Sequence, residues 1–442
     1  MAVGREVAGV FTRNVVTLVL SFGNSILLTR TLGVEGKGEF ALFSASVGLL
    51  SLLLGLGLDN AIRYFVAREE VERDRILGFY LLVVVAVGLT VFGVARVNHL
   101  AFTNELLLPA SRQRPLFEAV LAGTVAANLF FAALSAVFSG TRAFGPLNRA
   151  MVGFSALSLV VYGVLFALEV QGRVSVGAGE IFVVYLGLQT VNAVVLLVLG
   201  MRFLGLRLTP RLPAPALLAR MIRYAGQTFG ANLAQFLNYR VDIWIVQAVV
   251  GTAPLGLYSL AANLATMLWV LPRSTSQVLM PSMAAGDDGT SLPEAARLAR
   301  LVFAAMVVLA LPLALGARWW IAWLYGGEFQ PASAPFVLLL LGCVPFSLCV
   351  IQAAALAALD RQRINLTASV VGLVATVVLD LLLIPRYGIA GAALASSISY
   401  LLTTAVVLVA FARVGGLSPA ACVLPQPGDL RYVLDGVQSV LR

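Results

Sequence analysis

The chain is a succession of apolar stretches, each long enough to cross a lipid bilayer, and that pattern limits its fold more than any other feature. The hydrocarbon core is about 30 Å thick and a helix rises about 1.5 Å per residue, so a crossing helix takes about 20 residues. Twelve stretches qualify, at about 11–29, 39–58, 77–97, 116–138, 150–168, 179–201, 224–250, 256–283, 299–318, 333–358, 365–384 and 389–411. Charged residues make up only 12% of the sequence, about half the share of a soluble domain. The expected fold class is therefore an all-α integral membrane protein with twelve transmembrane helices. The first stretch runs on into a second with no small-residue cleavage site between them, which distinguishes it from a signal peptide.

The net charge of +9 is almost all arginine, and its placement gives an orientation. With a cytoplasmic N-terminus, roughly 20 basic residues fall on inner connectors and tails against roughly 8 outside, as the positive-inside rule asks. Both termini are then cytoplasmic and the chain is a multi-pass protein of the cell's inner (cytoplasmic) membrane. The charges flank spans and form no single stripe, which argues against a nucleic-acid partner. Cys343, Cys349 and Cys422 have no metal-type spacing and read as small core hydrophobes. His99 is the one histidine and lies in an outer connector, so no span holds a histidine relay or a histidine-ligated metal, and no cofactor is expected. The longest outer connector, Asn98–Pro115, is too short to carry the acid and base groups of a glycan-processing enzyme.

Sliding the sequence against itself by 218 positions exposes a duplication. Gly33, Gly38, Phe40 and Leu42 fall on Gly251, Gly256, Tyr258 and Leu260, while Asn14, Thr17 and Asn24 fall on Asn232, Gln235 and Asp242. The expected division is an N-lobe at 1–205 with spans 1 to 6, a cytoplasmic linker at 206–223, a C-lobe at 224–413 with spans 7 to 12, and a cytoplasmic tail at 414–442. Six spans per lobe is an even number, so the lobes enter the membrane in the same direction. They are then related by a pseudo-two-fold axis along the membrane normal, with a substrate path between them. In the tail, Leu430, Val433, Leu434, Val437, Val440 and Leu441 share one face, the pattern of an amphipathic helix lying on the inner surface.

Span 7 carries the most expensive residues. Arg240 and Asp242 lie near its middle, where ionisable side chains cost several kcal/mol and are kept for use. Thr228, Asn232, Gln235, Asn238 and Asp242 recur at helical spacing and gather on one face. Arg240 is two residues from Asp242, roughly 200° round the helix, so each needs a partner elsewhere. The first span repeats the polar face as Asn14, Thr17, Ser21 and Asn24, without the charge. Span 8 adds Asn263, Thr266, Arg273 and Gln277, with Pro272 beside the arginine. Proline bends a helix, and a bend beside a buried cation suits a moving element; the other reading has Arg273 snorkelling to the headgroups. Asp380 in span 11 is close enough to the outer end to be interfacial, and Asp59 with Arg63, four residues apart, reads as an inner-surface ion pair.

These residues resemble the polysaccharide and oligosaccharide flippases of the multidrug/oligosaccharidyl-lipid/polysaccharide (MOP) exporter superfamily. LTRTLGVEGKGEFALF, at 28–43, looks like that family's first inter-span signature. Asp242 through VGTAPLGLYSLAAN looks like the signature between its spans 7 and 8, and IPRYGIAGAALA, at 384–395, like the one between its last two spans. The related lipid II flippases usually carry two additional C-terminal spans, which this sequence does not show. The related multidrug antiporters place acidic residues in the first lobe, whereas here Asp242 and Asp380 are in the second.

The resemblance implies a flippase and not an enzyme. It would move an undecaprenyl-diphosphate-linked oligosaccharide from the cytoplasmic to the outer leaflet by alternating access, for surface polysaccharide biosynthesis; the alternative is a cation-coupled exporter of drugs or other amphiphiles. A diphosphate cannot cross hydrocarbon unless its charge is met, and arginine suits bidentate phosphate binding. Arg240, Arg273 and Arg30 are the candidates for that role. Asn14, Asn24, Asn232, Gln235, Asn238, Asn263 and Gln277 are candidates for bonding sugar hydroxyls, and Asp242 for balancing an arginine or holding a coupling proton or sodium ion. The expected partners are the lipid-linked oligosaccharide and membrane lipids, with the chain acting as a monomer.

Overall fold

Glycine joins spans that the sequence places on either side of a connector. The computed structural model describes residues 2–68, 73–101, 106–207, 214–285, 292–424, 426 and 428–429. The first helix, α1 (Ala2–Gly55), covers the first two spans and is interrupted only at Gly33, whose φ of 63° and ψ of −176° no side-chain-bearing residue adopts without strain. The last long helix, α14 (Gln362–Gly415), covers spans 11 and 12 and breaks in the same way at Gly388, with φ 57°.

Between them the chain runs through α2 (Leu58–Ala67), α3 (Arg73–Ala101), α4 (Pro115–Gly140), α5 (Phe144–Val170), α6 (Ala178–Leu204), α7 (Pro215–Val249) and α8 (Thr252–Met267). It continues through α9 (Val270–Ala285), α10 (Leu292–Leu315), α11 (Ala317–Tyr325), α12 (Ser333–Cys343) and α13 (Phe346–Ala358), and a short α15 (Pro419–Val423) follows α14. No strand occurs among the described residues.

Eight segments of the described chain are long and apolar enough to cross a membrane. Two of these contain the glycine breaks and count double; the bent pair α8 and α9, and α7 with its charges, complete twelve. The protein is a multi-pass membrane protein. The amphipathic segment read from the sequence lies, except for Asp429, outside the described residues.

The chain forms two compact units, one of residues 1–236 with 251–256 and one of 237–250 with 257–442. In the first, α4 packs on α3 and α6, and α1 on α5. Its interior is aromatic: Phe43 and Phe182 stack with centroids 4.2 Å apart, and Phe40 meets Tyr185 edge-on at 5.4 Å. A crossing of helix starts lies in the same unit. A Cβ on Gly38 would stand 1.9 Å from the carbonyl oxygen of Thr252, and one on Gly256 would stand 2.0 Å from that of Val34. Val34 and Thr252 are themselves 218 apart, so the two contacts exchange places under the repeat, as a local two-fold requires.

Two expectations are corrected in this unit and the next. Asp59 and Arg63 form no ion pair among the described residues; Asp59 lies in the first turn of α2, where free N–H groups favour a carboxylate. Asp380 is not interfacial but fully buried. Its helix packs on α12 and α13, and its side chain turns inward to within electrostatic reach of Asp242.

In the second unit, proline breaks helices. Pro272 has no N–H to offer the carbonyl of Leu268, four residues back, and the chain bends by 40° between α8 and α9 at that point. The bend expected beside Arg273 thus falls four residues earlier. Pro345 likewise divides the tenth span into α12 and α13. Ser347 N–H turns to Val344 O, which frees the carbonyl of Cys343, and the indole N–H of Trp269 donates to it at 3.0 Å. Small residues on the second half of α14 permit close packing: a Cβ on Gly342 would lie 2.5 Å from the Cα of Ser397. All three cysteines are free and buried.

Candidate functional site

A cavity of about 140 Å³ opens within the second unit, walled by α7, α8, α9, α12 and α14. Arg240, Asp242, Asn263 and Arg273 all line it. Arg240 and Asp242 reach the same space because Tyr239, another lining residue, lies between them in angle. At about 100° per residue, Tyr239 is about 60° from Asp242 and about 100° from Arg240, and a long guanidinium arm closes the difference. Arg273 arrives through the break between α8 and α9.

Neither arginine is held by a salt bridge among the described residues. Arg240 makes no ion pair or hydrogen bond with any described residue. Arg273 is exposed and its guanidinium lies 5.4 Å from the centroid of the Trp269 ring, a cation–π contact that leaves the guanidinium hydrogens free. Asp242 forms a salt bridge with neither, although Arg240 lies within electrostatic reach of it. Its carboxylate accepts the Tyr258 hydroxyl and, at 3.5 Å, that of Ser396, and takes the backbone N–H of Ile243 at 2.8 Å. Asp380 stands behind it with both oxygens lacking a hydrogen-bond donor among the described residues.

One wall is aromatic. Trp269, Phe346 and Tyr400 pack with centroids 4.9 to 5.4 Å apart and are nearly inaccessible; Tyr239, half-buried, covers them on the cavity side. With Trp269 pinned to Cys343, this wall fixes the ring over which Arg273 sits.

The remaining candidates are elsewhere. Asn238 is buried and committed: its side-chain oxygen accepts from Thr376 at 2.9 Å and from Ser399 at 3.2 Å. Gln277 is exposed on α9, outside the cavity lining. Asn14, Asn24, Arg30, Asn232 and Gln235 belong to the first unit. There Asn24 donates to the carbonyl of Ser155 at 3.2 Å, while Arg30 and Gln235 are exposed. The sequence marks Tyr258 only as the repeat partner of Phe40, not as the donor to Asp242, and does not mark Ser396, Trp269 or Tyr400. A tyrosine sixteen residues after a buried aspartate carries no helical-face signal, and the serine comes from 154 residues away.

The sequence model of the family described as polysaccharide biosynthesis protein matches residues 3–286. The chain belongs to that family. The match spans both inter-span signatures of the first 263 residues and the helices that carry Arg240 and Arg273. Among solved structures, the family member is similar to the lipid II flippase MurJ in an inward closed conformation, with a TM-score of 0.70, 12% identity, and coverage of 91% of this chain and 86% of that one. It is also similar to an inward-facing multidrug resistance MATE transporter of the MOP superfamily (TM-score 0.68, 14% identity, 90% and 94% covered). A third is a MOP superfamily transporter from Pyrococcus furiosus Vc1, described by a binding pocket of reverse polarity (TM-score 0.61, 15% identity, 94% and 96% covered). No curated protein matches significantly in sequence. At these identities the likeness shows the fold alone, the twelve-helix, two-lobed fold of MOP transporters.

Proposed function

We propose that this member of the polysaccharide biosynthesis family is a flippase for a lipid-linked oligosaccharide whose headgroup carries phosphate. It would move that cargo from the cytoplasmic to the outer leaflet of the cytoplasmic membrane by alternating access. The observation that carries the reading is the pair of guanidinium groups, Arg240 and Arg273, on one cavity whose single carboxylate, Asp242, hydrogen-bonds Tyr258, Ser396 and Ile243 N–H and neither arginine. Uncompensated cations at membrane depth are costly, and an anionic cargo removes that cost each time it enters. About 140 Å³ is below the ~300–1,000 Å³ of pockets that enclose a drug-sized ligand. It suits the phosphate end of a larger molecule, with glycan and lipid lying outside it. Asn263 and Tyr239, which also line the cavity, supply polar groups for sugar hydroxyls.

Asp242, held by Tyr258 and Ser396 and backed by the unsolvated Asp380, is the place for a coupling proton or sodium ion. Two carboxyl groups within electrostatic reach of one another favour sharing one cation between them. An exporter of cationic drugs would line the same space with free acids. Here the acid is bonded and the cations are free.

The test uses the purified protein in proteoliposomes carrying a fluorescent polyprenyl-diphosphate-linked sugar, with a membrane-impermeant quencher reading the accessible leaflet. Arg240→Gln and Arg273→Gln each remove charge-assisted bonds of about 1.5–3 kcal/mol, so transport should fall by roughly 10- to 100-fold, and the lysine variants should recover part of it. Full activity in all four variants would take both arginines out of the mechanism.

A further inference from the structure

A second cavity, in the first unit, is larger and chemically different. About 470 Å³ opens between α5 and α6. Its walls are apolar side chains such as Phe154, Leu157, Val195 and Leu199, and its charged groups are Arg149, near the start of α5, and Arg202, near the end of α6. Because α5 and α6 are consecutive spans, the start of one and the end of the other lie at the same membrane face, and both guanidiniums stand at one end of the groove. Both are exposed, and neither is engaged by another described residue.

The length of the groove is informative. From Arg202 to Val191 along α6 is eleven residues, about 16 Å at 1.5 Å per residue. One leaflet of hydrocarbon is half of about 30 Å. The groove is therefore as deep as one leaflet, apolar along that depth, and cationic where headgroups lie.

We propose that the α5–α6 groove is a binding site for one anionic phospholipid of the cytoplasmic leaflet. An acyl chain lies along Phe154, Leu157, Val195 and Leu199, and the phosphate is held between Arg149 and Arg202. Basic residues between spans on the cytoplasmic side favour such headgroups. The cytoplasmic assignment follows the arginine bias of the connectors. This site is separate from the cavity of Arg240 and Arg273 and does not depend on its cargo.

Gly153 provides a clean test because it lines the groove and nothing lies within 4 Å of a Cβ built on it. Gly153→Leu should fold normally, fill the groove and leave both arginines in place. The purified full-length protein would be exchanged into detergent containing phosphatidylglycerol or phosphatidylcholine of the same acyl chains, and bound lipid counted by native mass spectrometry. At about 1 kcal/mol per arginine near a headgroup, the wild type should prefer phosphatidylglycerol roughly thirtyfold. The Arg149→Gln, Arg202→Gln double variant should lose the preference but still bind lipid, and Gly153→Leu should lose lipid of both kinds, with unfolding transitions unchanged.

Retention of phosphatidylglycerol unaltered in both variants would overturn the proposal. So would its full displacement by millimolar inorganic phosphate, which would mark a phosphate site, or its selective displacement by a polyprenyl diphosphate, which would mark a cargo site.

Discussion

Adding one methyl group at Gly38 or Gly256 should destabilise the protein more than any other glycine-to-alanine change in the first unit outside such close approaches. The alanine Cβ would lie 1.9 Å from the Thr252 oxygen at Gly38 and 2.0 Å from the Val34 oxygen at Gly256, where carbon–oxygen contacts ordinarily begin near 3.3 Å. The obstacle in each case is backbone, which has no rotamer to change, so the two helix starts must part by about 1.4 Å. Overpacking of this sort costs about 1–3 kcal/mol and more where the backbone must move. Replacing glycine by alanine within a helix returns about 0.5–1 kcal/mol.

The net expectation is a loss of about 2 kcal/mol for each variant. The double variant should cost less than the sum, because one separation of the helices relieves both clashes. Equilibrium unfolding of the purified protein in detergent, followed by tryptophan fluorescence, would measure this. Gly226→Ala is the control, since nothing lies within 4 Å of its Cβ. Were Gly38→Ala and Gly256→Ala to match that control within about 0.5 kcal/mol, the helix starts would not cross at these glycines and the local two-fold would be wrong.

Two further outcomes concern residues outside the cavity. Arg300 on α10 is 4% exposed and Asp429 in the tail is 5% exposed, and they form a two-pronged pair at 2.7 and 2.8 Å. Arg300 also donates to Ala421 O at 2.5 Å. Asp429→Asn leaves a buried cation and should cost about 3 kcal/mol of docking of the 418–429 segment, while Arg300→Met with Asp429→Asn together should cost much less; limited proteolysis of the tail reads both. The Arg300 hydrogen bonds hold the Asp429 carboxyl below the usual carboxylate range. Its contribution is therefore complete above the unfolded value near pH 4 and is lost as pH falls through the lower folded value. Thr376→Val removes one of the two donors to the buried Asn238 side-chain oxygen and should lower stability by about 1 kcal/mol with transport per folded molecule unchanged, which separates Asn238 from the cavity residues.

The spans, the duplication and the two intramembrane arginines are written in local spacing or in composition, although spacing alone leaves Arg273 between the cavity and the headgroups. Arg240 and Asp242 stood out since nothing in a twenty-residue apolar run disguises a charge. What stayed hidden is tertiary. Glu39 is buried beneath Ser111 and Arg112, more than seventy residues on, with bonds of 2.5 and 2.9 Å. Glu118 is 1% exposed and takes His99 at 2.8 Å from the preceding helix. Asp380 read as interfacial because its depth along the span was legible while its rotation toward the interior of the unit was not. Asn238 belonged to the polar face in helical projection, yet that face is divided: part of it meets Thr376 and Ser399, and only the part around Asp242 meets the cavity.

The repeat shows which of these features the two halves share and which they do not. Gly33 with Gly251 and Gly38 with Gly256 are kept, and they set the breaks and the close approach. Three other matched positions changed character: Phe22 became Arg240, Asn24 became Asp242, and Phe40 became Tyr258, or each the reverse. The last two changes need one another. In the first unit Asn24 satisfies its amide on the Ser155 carbonyl while Phe40 packs among aromatic rings. In the second, a carboxylate at the matching position requires donors, and the tyrosine hydroxyl at the other matching position is one. A buried aspartate facing phenylalanine would be left with Ser396 and a single backbone N–H, a deficit of about 1–3 kcal/mol. The charged cavity and the neutral first unit thus differ at positions that depend on one another. Because Tyr258 and Ser396 take up the hydrogen bonds of the acid, the arginine two residues before it keeps its guanidinium donors for an anion from outside the protein.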